Sequence, residues 1–183
     1  ENTEKIIAEE NNLFPVFLKL EDLSLLIIGG GNVALEKLNA VLNNSPQTKI
    51  KLVSIEISEA IRRLANEKET IELIERPYSI YDLEEADLII AAVNNLQTSA
   101  QIKSDADAKG KLINVADKPE LCDFYLGSIV KKGSVKIGIS TNGKSPTIAK
   151  RLKEVITDFI PDEMENVLGN MQAIRMGMNG DFD

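Results

Sequence analysis

The most informative absence from this sequence is histidine, because none of the 183 residues is one. Without imidazole the chain lacks the commonest general base and metal ligand in proteins, and a Ser-His-Asp triad is excluded. Cysteine is nearly absent too, and the single Cys122 excludes an intrachain disulfide. We therefore expect a cytoplasmic protein in which Cys122 is a small buried apolar residue.

Long apolar runs are also missing, and none approaches the length needed to cross a bilayer. The N-terminal stretch ENTEKIIAEE is acidic where a signal peptide would be basic, so we expect neither a leader nor a membrane anchor. Internal repeats and low-complexity tracts are absent. The apolar fraction of 43% and the charged fraction of 27% are ordinary for a globular protein with one real core.

Most of the chain alternates between short apolar runs and amphipathic stretches, which indicates strands and helices in turn. A fully apolar run such as DLIIAAV (87–93) is typical of a parallel strand covered on both faces. Strands joined by crossover helices predict a Rossmann-like, doubly wound parallel sheet of the α/β class. The five predicted strands are 25–28, 50–55, 71–74, 87–93 and 112–116.

Beyond Asp117 the pattern changes. Residues 125–130 and 135–140 flank Lys-Lys-Gly-Ser and predict an antiparallel hairpin. Ser145-Pro146 then opens an amphipathic helix that Pro161 ends, and a second such helix follows. We predict a division into residues 1–123 and 124–183. Because the second part is too small to bury its apolar stripes alone, we expect it to form a homodimer interface.

The stretch LLIIGGGNVALEK (25–37) places a glycine-rich turn between a strand and a helix. Gly29, Gly31 and Ala34 fit the dinucleotide-binding pattern, in which the first glycine allows a tight turn and the second admits the pyrophosphate. Glu56 follows the second strand and could hold a ribose hydroxyl, which favours NAD over NADP. A simple structural turn, and for Glu56 a solvated acidic residue, are the alternatives.

Basic residues are concentrated in one segment. Residues 131–153 carry a charge of +7 and no acidic side chain, whereas the rest of the chain carries −15, for the net charge of −8. The acidic total and the lack of interleaved aromatics disfavour nucleic acid. A small polyanion fits better, since Asn-Gly-Lys-Ser (142–145) leads into a helix N-terminus. A solvated basic face is the alternative.

Asp117 stands at the carboxyl end of the fifth strand, where an open parallel sheet binds its ligands. In a chain without histidine, a carboxylate there is the available general base. From local sequence alone, a structural role is equally plausible, because Asp117 precedes Lys118-Pro119 and its side chain could cap a turn.

These stretches, taken in order, resemble the siroheme-synthase dehydrogenase family. That family oxidises precorrin-2 to sirohydrochlorin with NAD, and some members also insert ferrous iron. The resemblance covers roughly residues 13–160 and rests on five motifs. They are LFPVFLKL (13–20), LLIIGGGNVALEK (25–37), DLEEADLIIAAVNN (82–95), INVADKPELCDF (113–124) and STNGKSPTIAKRL (140–152).

The resemblance implies that Asp117 is the catalytic residue and that the segment after about Phe124 is a dimerisation and helical region. The dinucleotide would be lined by Asn32, Val33, Ile55 and Glu56, in addition to Gly29, Gly31 and Asn94. The implied substrate carries many carboxylates, which suits the basic segment, and we predict that Lys144, Ser145 and Arg151 bind it.

The chain departs from the family at Val93-Asn94-Asn95, where a Thr-Asp or Thr-Asn pair is usual, and in a short C-terminal part that leaves iron insertion open. Two alternatives remain: an NAD-sensing module that performs no chemistry, and a chelatase that does not use the cofactor.

Overall fold

A computed structural model describes residues 10–177 of the chain. These residues form two compact units. The first comprises residues 17–126, and the second comprises residues 10–16 together with 127–177. In the described part of the chain, no helix has the length and apolar character needed to span a membrane.

The first unit is a five-stranded parallel sheet in the order β3-β2-β1-β4-β5. This order reverses direction between β1 and β4, as in a doubly wound fold, and the predicted fold class is confirmed. In chain order its elements are β1 (Ser24–Ile28), α1 (Asn32–Asn44), β2 (Lys49–Ser54), α2 (Glu59–Asn66), β3 (Ile71–Glu75), β4 (Leu88–Ala91), α3 (Leu96–Ala108) and β5 (Leu112–Val115).

The first unit has an apolar core on each side of the sheet, because successive side chains of a strand point to opposite faces. On one side Leu25 and Ile27 of β1 pack with α1, and on the other Leu26 and Ile28 pack with residues that include Ile102 of α3. The near-continuous apolar character of β1 and β4 follows from burial on both faces. Three single turns of 3-10 helix, Leu20–Asp22, Ile80–Leu83 and Pro119–Leu121, had no sequence prediction.

The second unit contains a hairpin and two helices: β6 (Ser128–Lys132), β7 (Val135–Ile139), α4 (Pro146–Phe159) and α5 (Met164–Gly177). The hairpin was predicted, but its first strand begins at Ser128 rather than at residue 125, and Lys131 and Lys132 belong to the strand. The reason is a two-residue turn, in which Gly133 has a φ of 54° at the first central position, as a type II′ turn requires.

Both helices of the second unit begin at specific polar contacts. Ser145 is the N-cap of α4, as predicted, and its Oγ accepts a hydrogen bond of 3.2 Å from the backbone N–H of Ile148. In the first turn of α5, the Glu165 carboxylate accepts hydrogen bonds from the Ser134 backbone N–H at 2.6 Å and its hydroxyl at 2.7 Å. The start of α5 is therefore fastened to the hairpin turn.

Candidate functional site

The carboxyl-terminal ends of four neighbouring strands bring the candidate site residues to one edge of the sheet. Ile28 of β1 is in register with Val53 of β2 and with Ala91 of β4, and Ala91 is in register with Val115 of β5. The loops after these strands carry the predicted residues in the same spatial order, namely Ile55 and Glu56, Gly29 to Val33, Asn94, and Asp117. With a strand spacing of about 4.8 Å, the loops after β1 and β5 lie roughly 10 Å apart.

The glycine-rich loop after β1 is packed tightly against its neighbours at its first two positions. Gly29 has a φ of 120°, and a Cβ there would come within 2.3 Å of the Ala92 carbonyl oxygen. A Cβ on Gly30 would come within 2.1 Å of the Glu56 carbonyl oxygen. Two backbone hydrogen bonds hold the loop. The Gly29 N–H donates to the Val53 carbonyl at 2.9 Å, and the Ser58 N–H donates to the Gly30 carbonyl at 2.9 Å.

The third glycine is different, because a Cβ on Gly31 would meet no atom within 4 Å. Gly31 is the N-cap of α1, no side chain caps this helix, and its first turn holds no acidic residue. The backbone N–H groups of the first turn, at Asn32 and Val33, are oriented to receive an anion. An uncapped helix start behind open space fits the pyrophosphate of a dinucleotide, and the residues present are therefore compatible with the predicted cofactor.

The loop after β2 presents the two residues predicted to line the adenosine side. Ile55 is 68% exposed, and Glu56 is also exposed. The nearby arginines of α2 are already paired, since Arg62 lies 2.6 Å from Glu75 and Arg63 lies 3.6 Å from Glu59. The region next to Glu56 thus offers carboxylates rather than an available guanidinium.

The two asparagines after β4 have different surroundings. The Asn95 side chain is the N-cap of α3 and accepts a 2.9 Å hydrogen bond from the Thr98 N–H. Asn94 is exposed at the carboxyl edge. The departure from the usual family sequence therefore leaves the helix cap in place and keeps one amide side chain facing solvent beside the glycine-rich loop.

Asp117 lies in a strained turn at the end of β5. The Lys118 N–H donates to the Val115 carbonyl at 3.2 Å, which closes a β-turn with Asp117 as its third residue. Its φ is 60°, the left-handed region, and Ala116 before it does not share that conformation, so the turn is of type II. Glycine or asparagine normally occupies this position. Aspartate costs about 1 kcal/mol more than glycine there.

The Asp117 carboxylate is exposed, and within residues 10–177 it makes no hydrogen bond or ion pair with another protein group. The turn is instead closed by backbone atoms. The alternative that the Asp117 side chain caps the turn therefore has no support in the geometry.

The basic segment lies in the second unit and is spread over several elements. Lys131 of β6 stands directly opposite Lys136 of β7 in the antiparallel register. Lys132 forms an ion pair of 2.6 Å with Asp162, and Arg151 pairs with Glu154 at 2.8 Å. Lys144 follows a type I′ turn, formed by Asn142 and Gly143 with φ values of 53° and 74°.

An apolar stripe runs along α4 and is exposed in the single chain. Ile148, Leu152, Val155 and Phe159 recur on one face of the helix, and Phe159 is 85% exposed. Further exposed apolar side chains on α5 are Val167, Leu168, Met171, Ile174 and Met176.

In residues 10–177, no group of three or more Cys, Asp or Glu side chains could hold a metal ion.

Some residues of this edge escaped the sequence prediction. Gly30 was passed over because the dinucleotide pattern specifies only the glycines on either side of it. Cys122 was taken for an apolar core residue, but its sulfur contacts the turn that holds Asp117. The only sequence signal for the latter was its spacing of five residues from Asp117.

Two protein families match this chain, one over most of the first unit and one over part of the second. Residues 16–128 match a family described as putative NAD(P)-binding, a range that closely follows the first unit. Residues 132–158, which run from the end of β6 to near the end of α4, match a family described as sirohaem biosynthesis protein central.

Curated relatives include the siroheme synthase of Psychrobacter cryohalolentis, which is 39% identical over 150 residues. That alignment covers 82% of this chain and 28% of the relative. The siroheme synthase of Methylococcus capsulatus is 37% identical over 147 residues, covering 80% of this chain and 30% of the relative. The chain thus spans about three tenths of the length of these relatives.

Among solved structures, SirC, a precorrin-2 dehydrogenase, superposes with a TM-score of 0.73 at 21% identity, covering 90% of this chain and 79% of that one. This likeness concerns the fold. The family matches and the curated relatives confirm the resemblance that the sequence motifs indicated.

Proposed function

Because this chain belongs to the putative NAD(P)-binding family, we propose that it dehydrogenates precorrin-2 to sirohydrochlorin with NAD, as a step of siroheme biosynthesis. The observation that carries the proposal is the shared carboxyl edge. There, an uncapped helix start behind Gly31 and an exposed, unbonded Asp117 carboxylate follow strands separated only by β4.

The first unit would bind the dinucleotide. The N–H groups of Asn32 and Val33 would hold its pyrophosphate, and Glu56 would accept hydrogen bonds from a ribose while exposed Ile55 lies against the adenine. The exposed Glu56 carboxylate would repel a 2′-phosphate, which favours NAD over NADP. Asn94 would bind nearer the nicotinamide, given its place after β4.

When bound, NAD supplies the hydride acceptor. A dehydrogenation removes one hydride and one proton from the substrate, so the chain must supply a base. Asp117 is the candidate, because it faces solvent at the carboxyl edge, it makes no protein contact that would compete for a proton, and no histidine is available.

The second unit would bind the carboxylates of the macrocycle. Lys131 and Lys136 stand opposite each other on the hairpin, and two neighbouring positive charges would attract the carboxylates of a polyanion. Lys144, Ser145 and Arg151 lie between β7 and α4 or on that helix. We propose that they bind substrate acetate and propionate groups.

We also propose that the protein is a homodimer, in which a second copy covers the apolar stripe of α4. The predicted division into residues 1–123 for dinucleotide binding and 124–183 for dimerisation is part of this proposal, although residues 10–16 group with the second unit. A cytoplasmic location stays a prediction, and ferrous iron is a candidate second substrate.

The test of the activity is to mix the protein with NAD and precorrin-2 and to follow NADH and macrocycle absorption, with and without ferrous iron. In Asp117→Asn the new asparagine can adopt the left-handed turn conformation and has nearly the same size as aspartate, but its side chain is not a base. We expect unchanged NAD affinity and dehydrogenation slowed at least about 100-fold.

The control is Asp123→Asn, a nearby substitution of the same kind, which should keep near-normal turnover. Near-wild-type turnover of Asp117→Asn would return Asp117 to the role of a turn residue. NAD binding without any turnover in the unmutated protein would favour the sensing module, and iron insertion without NADH would favour the chelatase.

A further inference from the structure

The outer edge of β5 is covered by a short return segment, Cys122-Asp123-Phe124. β5 is an edge strand, so the backbone groups of Ile113 and Val115 on its outer side have no neighbouring strand. The segment replaces that strand. The Asp123 N–H donates to the Ile113 carbonyl at 2.8 Å, and its carboxylate accepts from the Ile113 N–H at 3.0 Å.

Cys122 performs the same task at the end of the strand nearest the turn. Its sulfur accepts a hydrogen bond from the Val115 N–H at 3.2 Å. The thiol hydrogen lies within reach of two carbonyl oxygens, that of Val115 at 3.2 Å and that of Lys118 at 3.3 Å. Val115 and Lys118 are the first and fourth residues of the turn that contains Asp117. One side chain therefore contacts both ends of that turn.

The sulfur is itself held in place from the core side. The buried Asn114 side chain, 6% exposed, donates to the Phe124 carbonyl at 2.8 Å and lies 3.5 Å from the Cys122 sulfur. Burial raises the pKa of the Cys122 thiol, so it stays protonated and keeps the hydrogen that both carbonyls can accept.

The conformation that these contacts enclose is an unfavourable one for aspartate. Aspartate at a φ of 60° is less favourable than glycine would be, so contacts from the surrounding structure must offset that cost. Within residues 10–177 the Asp117 side chain makes no hydrogen bond or ion pair that would do so. The enforcement must come from the backbone, and Cys122 is the side chain that contacts both ends of the turn.

We propose that Cys122 is a positioning residue for Asp117, fastening both ends of the strained turn so that the carboxylate points out of the carboxyl edge. The catalytic part of this inference rests on the proposed function, whereas the conformational part does not. Cys122 has no role in the reaction other than through Asp117.

The test compares Cys122→Ala with Cys122→Ser and with Asp123→Asn. Alanine removes both the donor and the acceptor, serine keeps them on a shorter bond, and Asp123→Asn perturbs the same segment without touching the turn. We expect kcat to fall about 10- to 100-fold in Cys122→Ala, less in Cys122→Ser and hardly at all in Asp123→Asn. The KM for NAD should not change in any of them.

Two further readouts separate positioning from general destabilisation. In the Asp117→Asn background, Cys122→Ala should lower kcat by less than about twofold, because the group that it positions is already lost. Independently of activity, the scalar coupling between the amide and α protons of residue 117, which reports φ, should change in Cys122→Ala and stay unchanged in Asp123→Asn.

An unchanged coupling in a folded Cys122→Ala protein, or full additivity with Asp117→Asn, would overturn the positioning role. If alanine prevents folding, the same coupling and cycle in Cys122→Ser decide the matter. Should Asp117→Asn alone leave turnover normal, the proposed base would be wrong, and the coupling would still decide whether Cys122 holds the turn.

Discussion

The two units differ sharply in how much apolar surface they bury on their own. In residues 17–126, side chains such as Ile27, Leu38 and Ile89 are completely buried on the two faces of the sheet. In the second unit, the buried apolar residues are Val130, Ala149 and Ile160, whereas most of the stripe on α4 is exposed. The first unit has a core of its own, and the second requires something else to cover its helices.

The difference suggests a division of labour. A complete core fixes the carboxyl edge of the sheet, where cofactor groups must be held to within a fraction of an ångström. An incomplete core leaves an apolar surface that a second copy would cover in the proposed homodimer.

The largest effect is expected from Leu152→Glu, which places a charge in the middle of the α4 stripe. If a second copy covers the stripe, the carboxylate would be buried without a partner, and we expect the dissociation constant of the dimer to rise at least about 100-fold. Sedimentation at micromolar concentration measures this. Lys153→Glu adds the same residue on the polar face and should remain dimeric. A wild-type protein that sediments as a monomer would contradict the dimer.

A smaller but diagnostic effect is expected in the glycine-rich loop, where neighbouring positions should separate folding from binding. Gly30→Ala forces a Cβ to within 2.1 Å of the Glu56 carbonyl oxygen, so we expect a loss of about 1–3 kcal/mol in the free energy of unfolding.

Gly31→Asp is the matched substitution, since its Cβ has open space and aspartate is a favourable N-cap. We expect stability within about 0.5 kcal/mol of wild type and NAD binding abolished. Urea unfolding and calorimetric titration measure the two quantities. Unchanged NAD affinity in Gly31→Asp would remove the pyrophosphate from this loop.

These glycines show why the sequence predicted the fold well and the site only in part. Short apolar runs and alternating patterns located the seven strands that lie within residues 10–177, because burial on two faces or on one imposes these patterns locally. The crowding at Gly30, by contrast, comes from the loop after β2, 26 residues farther along the chain at Glu56. Contacts of that kind depend on strand order, which a local pattern does not specify.

Asp117 illustrates the same limit on a smaller scale. Local sequence placed it at the carboxyl end of β5 but left catalysis and turn capping equally open, and the family resemblance favoured catalysis. The observation that speaks against capping is that backbone atoms close the turn while the Asp117 carboxylate makes no hydrogen bond within residues 10–177. The contact between the Cys122 sulfur and this turn comes from the return segment along β5. Lone cysteines are most often buried apolar residues, so the general rule pointed away from this contact.

A moderate effect on substrate binding alone is expected from charge reversal in the second unit. Lys144→Glu should raise the KM for precorrin-2 several-fold, because it replaces an attraction for substrate carboxylates by a repulsion. NAD affinity should stay the same. Lys49→Glu makes the same change at the start of β2, which lies at the end of the sheet opposite the carboxyl edge, and serves as the control. An unchanged KM in Lys144→Glu would remove this lysine from the substrate site.

The smallest effect is expected on the pH dependence of stability, where one ion pair from each unit can be compared. In the first, the Asp82 carboxylate, whose side chain is 5% exposed, accepts two hydrogen bonds from Arg76 and one from the Ser79 N–H. In the second, Lys132 pairs with Asp162, which is 88% exposed. The hydrogen bonds from the Arg76 guanidinium hold the pKa of Asp82 below its usual range. Burial of the carboxyl group acts in the opposite direction, whereas the hydrogen bond from the Ser79 N–H lowers the pKa further. Lys132 likewise lowers the pKa of Asp162.

A carboxyl group with a lowered pKa in the folded state stabilises the protein above its unfolded pKa, and this contribution is lost as the pH falls through the folded pKa. We therefore expect Arg76→Gln to destabilise the protein at neutral pH, and the difference from wild type to shrink as the pH falls below about 4, the ordinary range of aspartate. Lys132→Gln should show the same sign with a smaller amplitude, since solvent screens the exposed Asp162. Urea unfolding at a series of pH values measures both. Equal amplitudes in the two variants would mean that burial in the first unit adds nothing to the strength of its ion pair.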